Sequence, residues 1–514
     1  MAEMVKLFVN GREVEVESGK NLIDAFKVIG VEIPHFCYHP ALGADGNCRM
    51  CLVGIEDGRP PLVPACKTLV SPGLKVQLDT EKIKKIQRDM MEFELINHPI
   101  DCPVCDQAGE CTLQDYYMSY DLQDSRMTVP VVAKGKRMDL GCGVVHDQER
   151  CVLCARCVRF TRLITKTGEL GIVNRSDEAR VEVFPGRPLN NRYAVNVVDL
   201  CPVGAMTSRD FRFTQRAWFL TKDKGICHGC AKGCNIYIDH NREKYKDDVI
   251  YRFRPRLNDQ VNGYFMCDEG RLTYHAENEG RLQVCRLEGK DCLQDYAIQS
   301  AKALLGPKAL MLVSPNCSME QMIAIKALSE ACGAKLSGYS DGYIKTGDGD
   351  DWLIQDDKSA NRAGLALLGI DCTKETFTGL LNGSDVLVSF NNDLFVHETG
   401  NEFLQRLEKI KIVAIATHDG TLIQKASIAI PVASYSESSG SVVNKDGLLQ
   451  HFVRAVQKNV LPLDMIALCG TLGGPVATES DAVNEMKKVI PSLTDMIPEG
   501  GVKLTASEAA HVPA

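Results

Sequence analysis

Fifteen cysteines and one histidine of this chain fall into four sets whose spacings suit metal coordination. The most specific is Cys151-x2-Cys154-x2-Cys157, completed by a remote Cys201 that is followed by Pro202. Three thiols at that pitch plus a distant Cys-Pro is how ferredoxins hold a [4Fe–4S] cubane, and zinc sites, which favour paired cysteines, rarely use it. In Cys37-x10-Cys48-x2-Cys51-x14-Cys66 one tight pair stands between two distant thiols, as in a plant-type [2Fe–2S] loop with a lengthened first spacer. Gly43 and Gly46 in that loop would let backbone N–H groups approach inorganic sulfur. A structural zinc is the other reading of this set. In His98-x3-Cys102-x2-Cys105-x5-Cys111 three thiols and an imidazole leave zinc and a cubane with one His-ligated iron both open. A neutral imidazole in place of a thiolate would make such a cluster less negative and raise its potential. The fourth set, Cys227-x2-Cys230-x3-Cys234-x32-Cys267, suits a further cubane or a zinc knuckle. Cys142, Cys285, Cys292, Cys317, Cys332, Cys372 and Cys469 have no partner spacing and are expected to be small buried hydrophobes.

Sixteen of the 22 cysteines lie in residues 1–267 and six follow, so a metal-binding front half is set against a different back half. The opening MAEMVKLFVNG lacks a basic segment followed by an apolar core; no secretory signal is expected, and the thiols should stay reduced. With 514 residues, 45% hydrophobic and 25% charged, the chain has the composition of several globular domains rather than of a disordered or collagenous protein. No apolar run approaches the ~18 residues of a membrane helix. A net charge of −8 argues against nucleic acid as the main partner. Residues 150–216 nevertheless carry 12 Arg and Lys against 6 Asp and Glu. Anionic thiolate clusters need compensating positive charge, which accounts for the excess without an RNA patch.

Several elements are legible around these sets. Val5, Leu7 and Val9 alternate, Asn10-Gly11 signals a two-residue hairpin, and Val14 and Val16 alternate again. Asn21 can cap a helix with Leu22, Ala25, Phe26 and Ile29 on one face, giving a small β-grasp unit. From Thr80 a longer helix is expected with Ile83, Ile86, Met90 and Phe93 along one side. After about residue 300 the texture becomes strand–helix alternation, with strands at Ala309–Val313, Val386–Phe390, Ile412–Ala416 and Ser427–Val432 and helices at Met319–Ala331 and Asn401–Ile410. That pattern predicts an α/β domain with a mainly parallel sheet. Glu499–Ala514, polar and rich in small residues, is expected to fray.

The strings HPIDCPVCDQAGECTLQD, RCVLCARCVRF and VVDLCPVGAMTS resemble, nearly residue for residue, signatures of the large iron–sulfur subunit (the 75-kDa subunit) of respiratory complex I, NADH:quinone oxidoreductase. The resemblance implies a [2Fe–2S] cluster on Cys37, Cys48, Cys51 and Cys66. It implies [4Fe–4S] clusters on His98, Cys102, Cys105 and Cys111 and on Cys151, Cys154, Cys157 and Cys201. The fourth set resembles the extra cubane at the entrance of molybdopterin oxidoreductases, making three [4Fe–4S] clusters in all. DDWLIQDDKSANRAG and SYSESSGSVVNKDGLLQ resemble the α/β part of that molybdopterin fold.

The implied fold is α+β and multi-domain. It comprises a β-grasp [2Fe–2S] ferredoxin domain at 1–79, a His/Cys-ligated [4Fe–4S] domain at 80–141 and a ferredoxin-like [4Fe–4S] domain at 142–219. A molybdopterin-oxidoreductase-type cluster domain at 220–276, an α/β molybdopterin-oxidoreductase-like domain at 277–498 and a tail at 499–514 follow. The chain departs from the pattern in being short, with no counterpart of the final domain of a molybdopterin enzyme. Where molybdenum enzymes place a Lys two residues after the fourth cysteine, Glu269 stands here. No unassigned Cys is followed by the His seen in formate dehydrogenases. No molybdopterin and no flavin are therefore expected on this chain, and no convincing GxGxxG supports dinucleotide binding.

The resemblance implies an electron-transfer subunit without substrate chemistry of its own. Its implied partners are a flavin/NADH-binding subunit, a small [2Fe–2S] subunit and a downstream iron–sulfur subunit leading to quinone. Its implied place is cytoplasmic, peripheral on the inner face of the cell membrane through the complex. The alternatives are a relay subunit of a soluble NAD(P)-linked hydrogenase, formate dehydrogenase or electron-bifurcating complex, and a molybdopterin-dependent catalytic subunit.

Overall fold

Strands β1 (Met4–Val9) and β2 (Arg12–Glu17) pair antiparallel across Asn10-Gly11, whose φ angles of 48° and 78° match a two-residue turn to the strand twist. With β3 (Leu52–Ile55), β4 (Leu62–Pro64) and β5 (Lys75–Gln77) they form a sheet of order β2-β1-β5-β3-β4, in which β5 runs parallel to β1. The Asn21 side chain accepts from the Asp24 N–H and starts the helix Leu22–Val28, which buries Leu22, Ile23, Ala25 and Phe26 against Leu7 and Val9 of the sheet. This is the expected hairpin-and-helix arrangement.

The computed structural model describes residues 3–56, 61–121, 124–128, 130–241, 249–394, 401–456, 463–493 and 497–509. The chain divides into two units, Met1–Phe219 and Leu220–Ala514. In the first, Thr80 caps the helix Glu81–Leu95. Its buried stripe is Ile83, Gln87 and Met91, spaced by four, while Phe93 is exposed. The expected face through Met90 and Phe93 is therefore displaced by about one residue, because the polar Gln87 takes a core position that periodicity assigned to an apolar side chain.

Short strands complete this unit: β6 (Met138–Gly141), β7 (Val144–His146), β8 (Leu170–Val173), β9 (Arg180–Val183) and β10 (Met206–Ser208). Cys142 sits exposed at the tight turn between β6 and β7, not buried as expected. Cys285, Cys317 and Cys469 are buried as expected, and Cys292, Cys332 and Cys372 are half-buried. One apolar cluster brings Cys37, Cys111 and Cys154 together with Phe36, Met91 and Val203, so three of the four sets share a core.

The second unit begins with the antiparallel sheet β11 (Thr221–Ile226), β12 (Asn235–His240) and β13 (Ile250–Pro255). A hairpin of β14 (Arg286–Leu287) and β15 (Lys290–Asp291) then edges a seven-stranded sheet. The body of that sheet is β16 (Ala309–Val313), β17 (Lys335–Ser337), β18 (Val386–Phe390), β19 (Lys411–Ala416) and β20 (Ile428–Pro431), all parallel in the order β20-β19-β18-β16-β17. The mainly parallel α/β sheet matches expectation. The helix Met319–Cys332 has Ser318 and Gln321 in a reciprocal capping box and ends on Gly333 at φ 72°. The helix expected over Asn401–Ile410 is α-helical only over Leu404–Leu407.

Strands β21 (Gly440–Val443), β22 (Leu448–Phe452) and β23 (Val502–Lys503) form a last sheet. The tail thus does not fray where it is described. Val502 pairs with Leu449, Leu504 is buried, and Glu499 forms ion pairs with Lys224 at 2.9 Å and Arg256 at 3.0 Å. Residues 510–514 lie outside the described residues.

Candidate metal centres

In the first set the Cys37 and Cys48 sulfurs are 3.5 Å apart, and the Cys66 thiol hydrogen-bonds with both Cys37 and Cys51. Thiol donation from Cys48 and Cys66 pulls Cys37 well below the usual range, while the donors Cys48 and Cys66 are pushed up. Backbone N–H groups of Gly46 and Cys48 point at the Cys37 sulfur. Gly43 and Gly46 take positive φ angles of 70° and 84°, so the loop bends as the glycines were expected to allow. A Cβ on Gly46 would also lie 2.8 Å from the Lys67 side chain.

The second set comes together around one cavity, lined by His98, Cys102, Cys105, Cys111 and Gly204 with Ile100, Leu113 and Val131. Burial lowers His98 to about 4 and raises Cys111 to about 11. Its imidazole is therefore neutral at physiological pH, the form that binds metal. Gly204 is packed so closely here that a Cβ would fall 2.2 Å from the Cys105 sulfur.

Cys151, Cys154, Cys157 and Cys201 likewise line one enclosed cavity, walled by Val152, Val181, Val203 and Met206. Leu153 and Ala155, between the ligands, hold φ angles of 48° and 58°. The left-handed region costs a non-glycine residue roughly 1–2 kcal/mol. Here it turns the N–H groups of Leu153 and Arg156 toward the Cys151 and Cys154 sulfurs. Cys201 receives the N–H groups of Val203, Ala205 and Met206. In the fourth set all four cysteines are buried. The Gly229 N–H donates to the Cys227 sulfur at 3.4 Å and the Gly270 N–H to Cys267 at 3.3 Å.

Burial raises the thiols of the third and fourth sets, Cys154 and Cys267 to about 12. Such thiols hold their protons at physiological pH, and a metal bound there would displace them. Four soft donors around an enclosed, largely apolar space suit an iron–sulfur cluster. Among the described residues, no three His, Cys, Asp or Glu side chains are arranged to hold a single metal ion.

The arginine excess is built into these sites. Arg156 donates to the carbonyls of Tyr38 at 2.7 Å and Leu200 at 3.3 Å. Arg159 reaches the carbonyls of Cys37, Leu42 and Gly43, and Arg216 those of Cys105 and Pro103. Arg150 pairs with Asp101 through two hydrogen bonds of 3.0 and 2.6 Å. Spacing rules miss these residues and Gly204. The only trace they leave in the sequence is the local charge excess.

In the second unit a crevice opens where β16, β18 and β19 end, lined by Asn316, Asn391, Asn392 and Thr417 with Glu277 and Asp419. Open α/β sheets bind ligands where strand order reverses, here between β16 and β18. No Lys or Arg is among the described residues that line it. Glu269 follows Cys267 in the first turn of the helix Asp268–Leu272, and its charge helps raise the Cys267 thiol.

Three stretches of the chain match ferredoxin-type and iron–sulfur-binding domains. Residues 2–81 match the 2Fe-2S iron-sulfur cluster binding domain, residues 87–126 the NADH-ubiquinone oxidoreductase-G iron-sulfur binding region, and residues 141–207 the NADH-quinone oxidoreductase subunit 3, ferredoxin-like domain. More particularly, the chain is similar to an NADH-quinone oxidoreductase subunit of Rickettsia conorii, 35% identical over 341 residues that cover 64% of this chain and 50% of the relative. It is 39% identical over 280 residues to the NADH-ubiquinone oxidoreductase 75 kDa subunit of Reclinomonas americana, covering 54% of this chain and 39% of that one. The chain thus spans half or less of the length of these curated relatives. A chain of the NAD+-reducing [NiFe]-hydrogenase in the H2-reduced state aligns with 41% of this chain and 90% of its own at 25% identity, with a TM-score of 0.37. Among the described residues, no helix is long and apolar enough to cross a membrane.

Proposed function

We propose that this chain is the electron-transfer iron–sulfur subunit of an NADH:quinone oxidoreductase of the complex I type. The observation that carries the reading is that His98, Cys102, Cys105 and Cys111 line one cavity and Cys151, Cys154, Cys157 and Cys201 another. Both sets lie in stretches that match iron–sulfur regions of that enzyme. Cys37, Cys48, Cys51 and Cys66 would hold a [2Fe–2S] cluster, and the other three sets, including Cys227, Cys230, Cys234 and Cys267, one [4Fe–4S] cluster each. When bound, such clusters store and pass single electrons. The chain's own residues supply thiolates, exclude water from the third set with Val152, Val181 and Val203, and set the charge around the first three sets through Arg150, Arg156 and Arg159.

The domain boundaries follow the ligand sets: 1–79, 80–141, 142–219, 220–276 and 277–498, with a C-terminal segment from 499. The last of these domains has the molybdopterin-oxidoreductase type of fold but binds no molybdenum cofactor. Glu269 beside Cys267 places a negative charge where a cation would face the pterin and disfavours an anionic cofactor. The partners are a flavin/NADH-binding subunit, a small [2Fe–2S] subunit and a downstream iron–sulfur subunit, which place the chain peripherally at the inner face of the cell membrane.

Iron and acid-labile sulfide analysis of anaerobically prepared protein should give about fourteen irons per chain, from one [2Fe–2S] and three [4Fe–4S] clusters. A value near two with stoichiometric zinc overturns the reading. Co-purification of the native assembly should recover a flavin subunit, and recovery of a hydrogenase catalytic subunit instead would assign the chain to that class.

A further inference from the structure

Asp101 immediately precedes Cys102, and Arg150 immediately precedes Cys151. The first cysteines of the second and third sets are therefore each flanked by one partner of the same ion pair. It is bidentate: Arg150 Nε to Asp101 Oδ1 at 3.0 Å and Nη2 to Oδ2 at 2.6 Å. The Arg150 side chain is only 6% exposed, and Asp147 Oδ2 lies 3.4 Å from its Nε. Lys136 ties the carboxylates together from the solvent side, 3.5 Å from both Asp101 and Asp147 and 2.6 Å from Glu149. The Arg150 stem also borders Gly204, where a Cβ would lie 3.7 Å from Arg150 Cδ and 2.2 Å from the Cys105 sulfur. The guanidinium is thus close to the second set through Cys105 and joined by the chain to the third.

We propose that the Asp101–Arg150 pair is a charged clamp that joins the two cubane-binding loops and sets the reduction potential of the cluster held by His98, Cys102, Cys105 and Cys111. The proposal rests on that cluster's being present. Adding one electron makes the site one charge more negative, with no bond made or broken and no proton required. A guanidinium favours the reduced state and a carboxylate disfavours it; the buried Arg150 acts with little screening, the part-exposed Asp101 with more. Fork-to-fork geometry fixes where the two charges lie.

A purely structural clip and a charge-setting clamp differ in sign. Loss of either partner would loosen a clip in the same way. In a clamp, Arg150→Gln lowers the potential of the Cys105 cluster and Asp101→Asn raises it. The full-length protein and both variants are prepared anaerobically, iron and sulfide are measured, and the cubane signals are followed by EPR during redox titration. Each single variant should shift the potential by tenfold or more in the one-electron equilibrium, about 59 mV. The double variant should return toward the unsubstituted value. If Arg150→Gln fails to retain iron, Asp101→Asn and the charge-keeping Arg150→Lys decide instead, the first raising the potential and the second leaving it nearly unchanged. Shifts of the same sign, or none, in iron-replete variants overturn the clamp alone. Absence of iron from the second set in unsubstituted protein overturns the cluster reading and the clamp with it.

Discussion

Replacing Gly204 by alanine should abolish the cluster of the second set while leaving the fold in place. Gly204 does not occupy the left-handed region, so alanine carries no backbone penalty there, and the whole effect is steric. The new methyl would stand 2.2 Å from the Cys105 sulfur and 3.1 Å from Gln107 Cβ. Ordinary carbon–sulfur contact begins near ~3.5 Å, so the sulfur must retreat by roughly 1 Å or more. Turning about χ1 would relieve the clash but would carry the sulfur out of the ligand set. Keeping it in place instead costs what overpacking usually does, about 1–3 kcal/mol, or roughly 5- to 150-fold in cluster retention.

Iron and sulfide per chain, with low-temperature EPR, measure the result. The variant should lose about four irons. The signal of the Cys151, Cys154, Cys157 and Cys201 cluster should persist, because alanine leaves the backbone N–H donors to Cys201 intact. Full iron with an unchanged spectrum would refute the argument, since it would mean that the ligating sulfur does not face Gly204.

His98→Ala should lose or convert one cubane and leave the third set's EPR signal, and unchanged spectra at full iron would show that the imidazole is not bound. Elemental analysis for molybdenum and tungsten, with pterin fluorescence after acid oxidation, should find neither; stoichiometric metal and pterin would promote the catalytic alternative. Acidification should weaken the fold between about pH 6.5 and 4. Burial lowers His39 to about 3 and His146 and His228 to about 4, so the unfolded chain binds more protons in that window and stability falls with pH. Glu94, raised to about 8 by burial, opposes this, because its folded form keeps a proton that the unfolded chain releases above its ordinary pKa. Denaturant midpoints that stay flat from pH 7 to 4 would contradict these shifts.

Ligand sets are short-range objects. Asn10-Gly11 between alternating valines marks the hairpin and Asn21 the helix cap, and Cys151, Cys154 and Cys157 lie close enough along the chain to be read as one set. Those features depend on local backbone geometry, which neighbouring residue types dictate. The buried face of Glu81–Leu95 departs from its apolar periodicity because Gln87 enters the core and Phe93 leaves it, and only packing against other segments decides that. The same holds for the C-terminal segment, ordered by a strand partner in β22 and by ion pairs to Lys224 and Arg256. Asp101 meets Arg150, and Gly204 meets Cys105, across separations that no spacing rule encodes. Residue types and spacing single out the cysteines and His98 as candidate ligands, and the second and third sets each line one cavity. Tertiary structure alone decided which sets share a core and which charges face them, because burial and Coulomb interactions depend on distance in space and not along the chain.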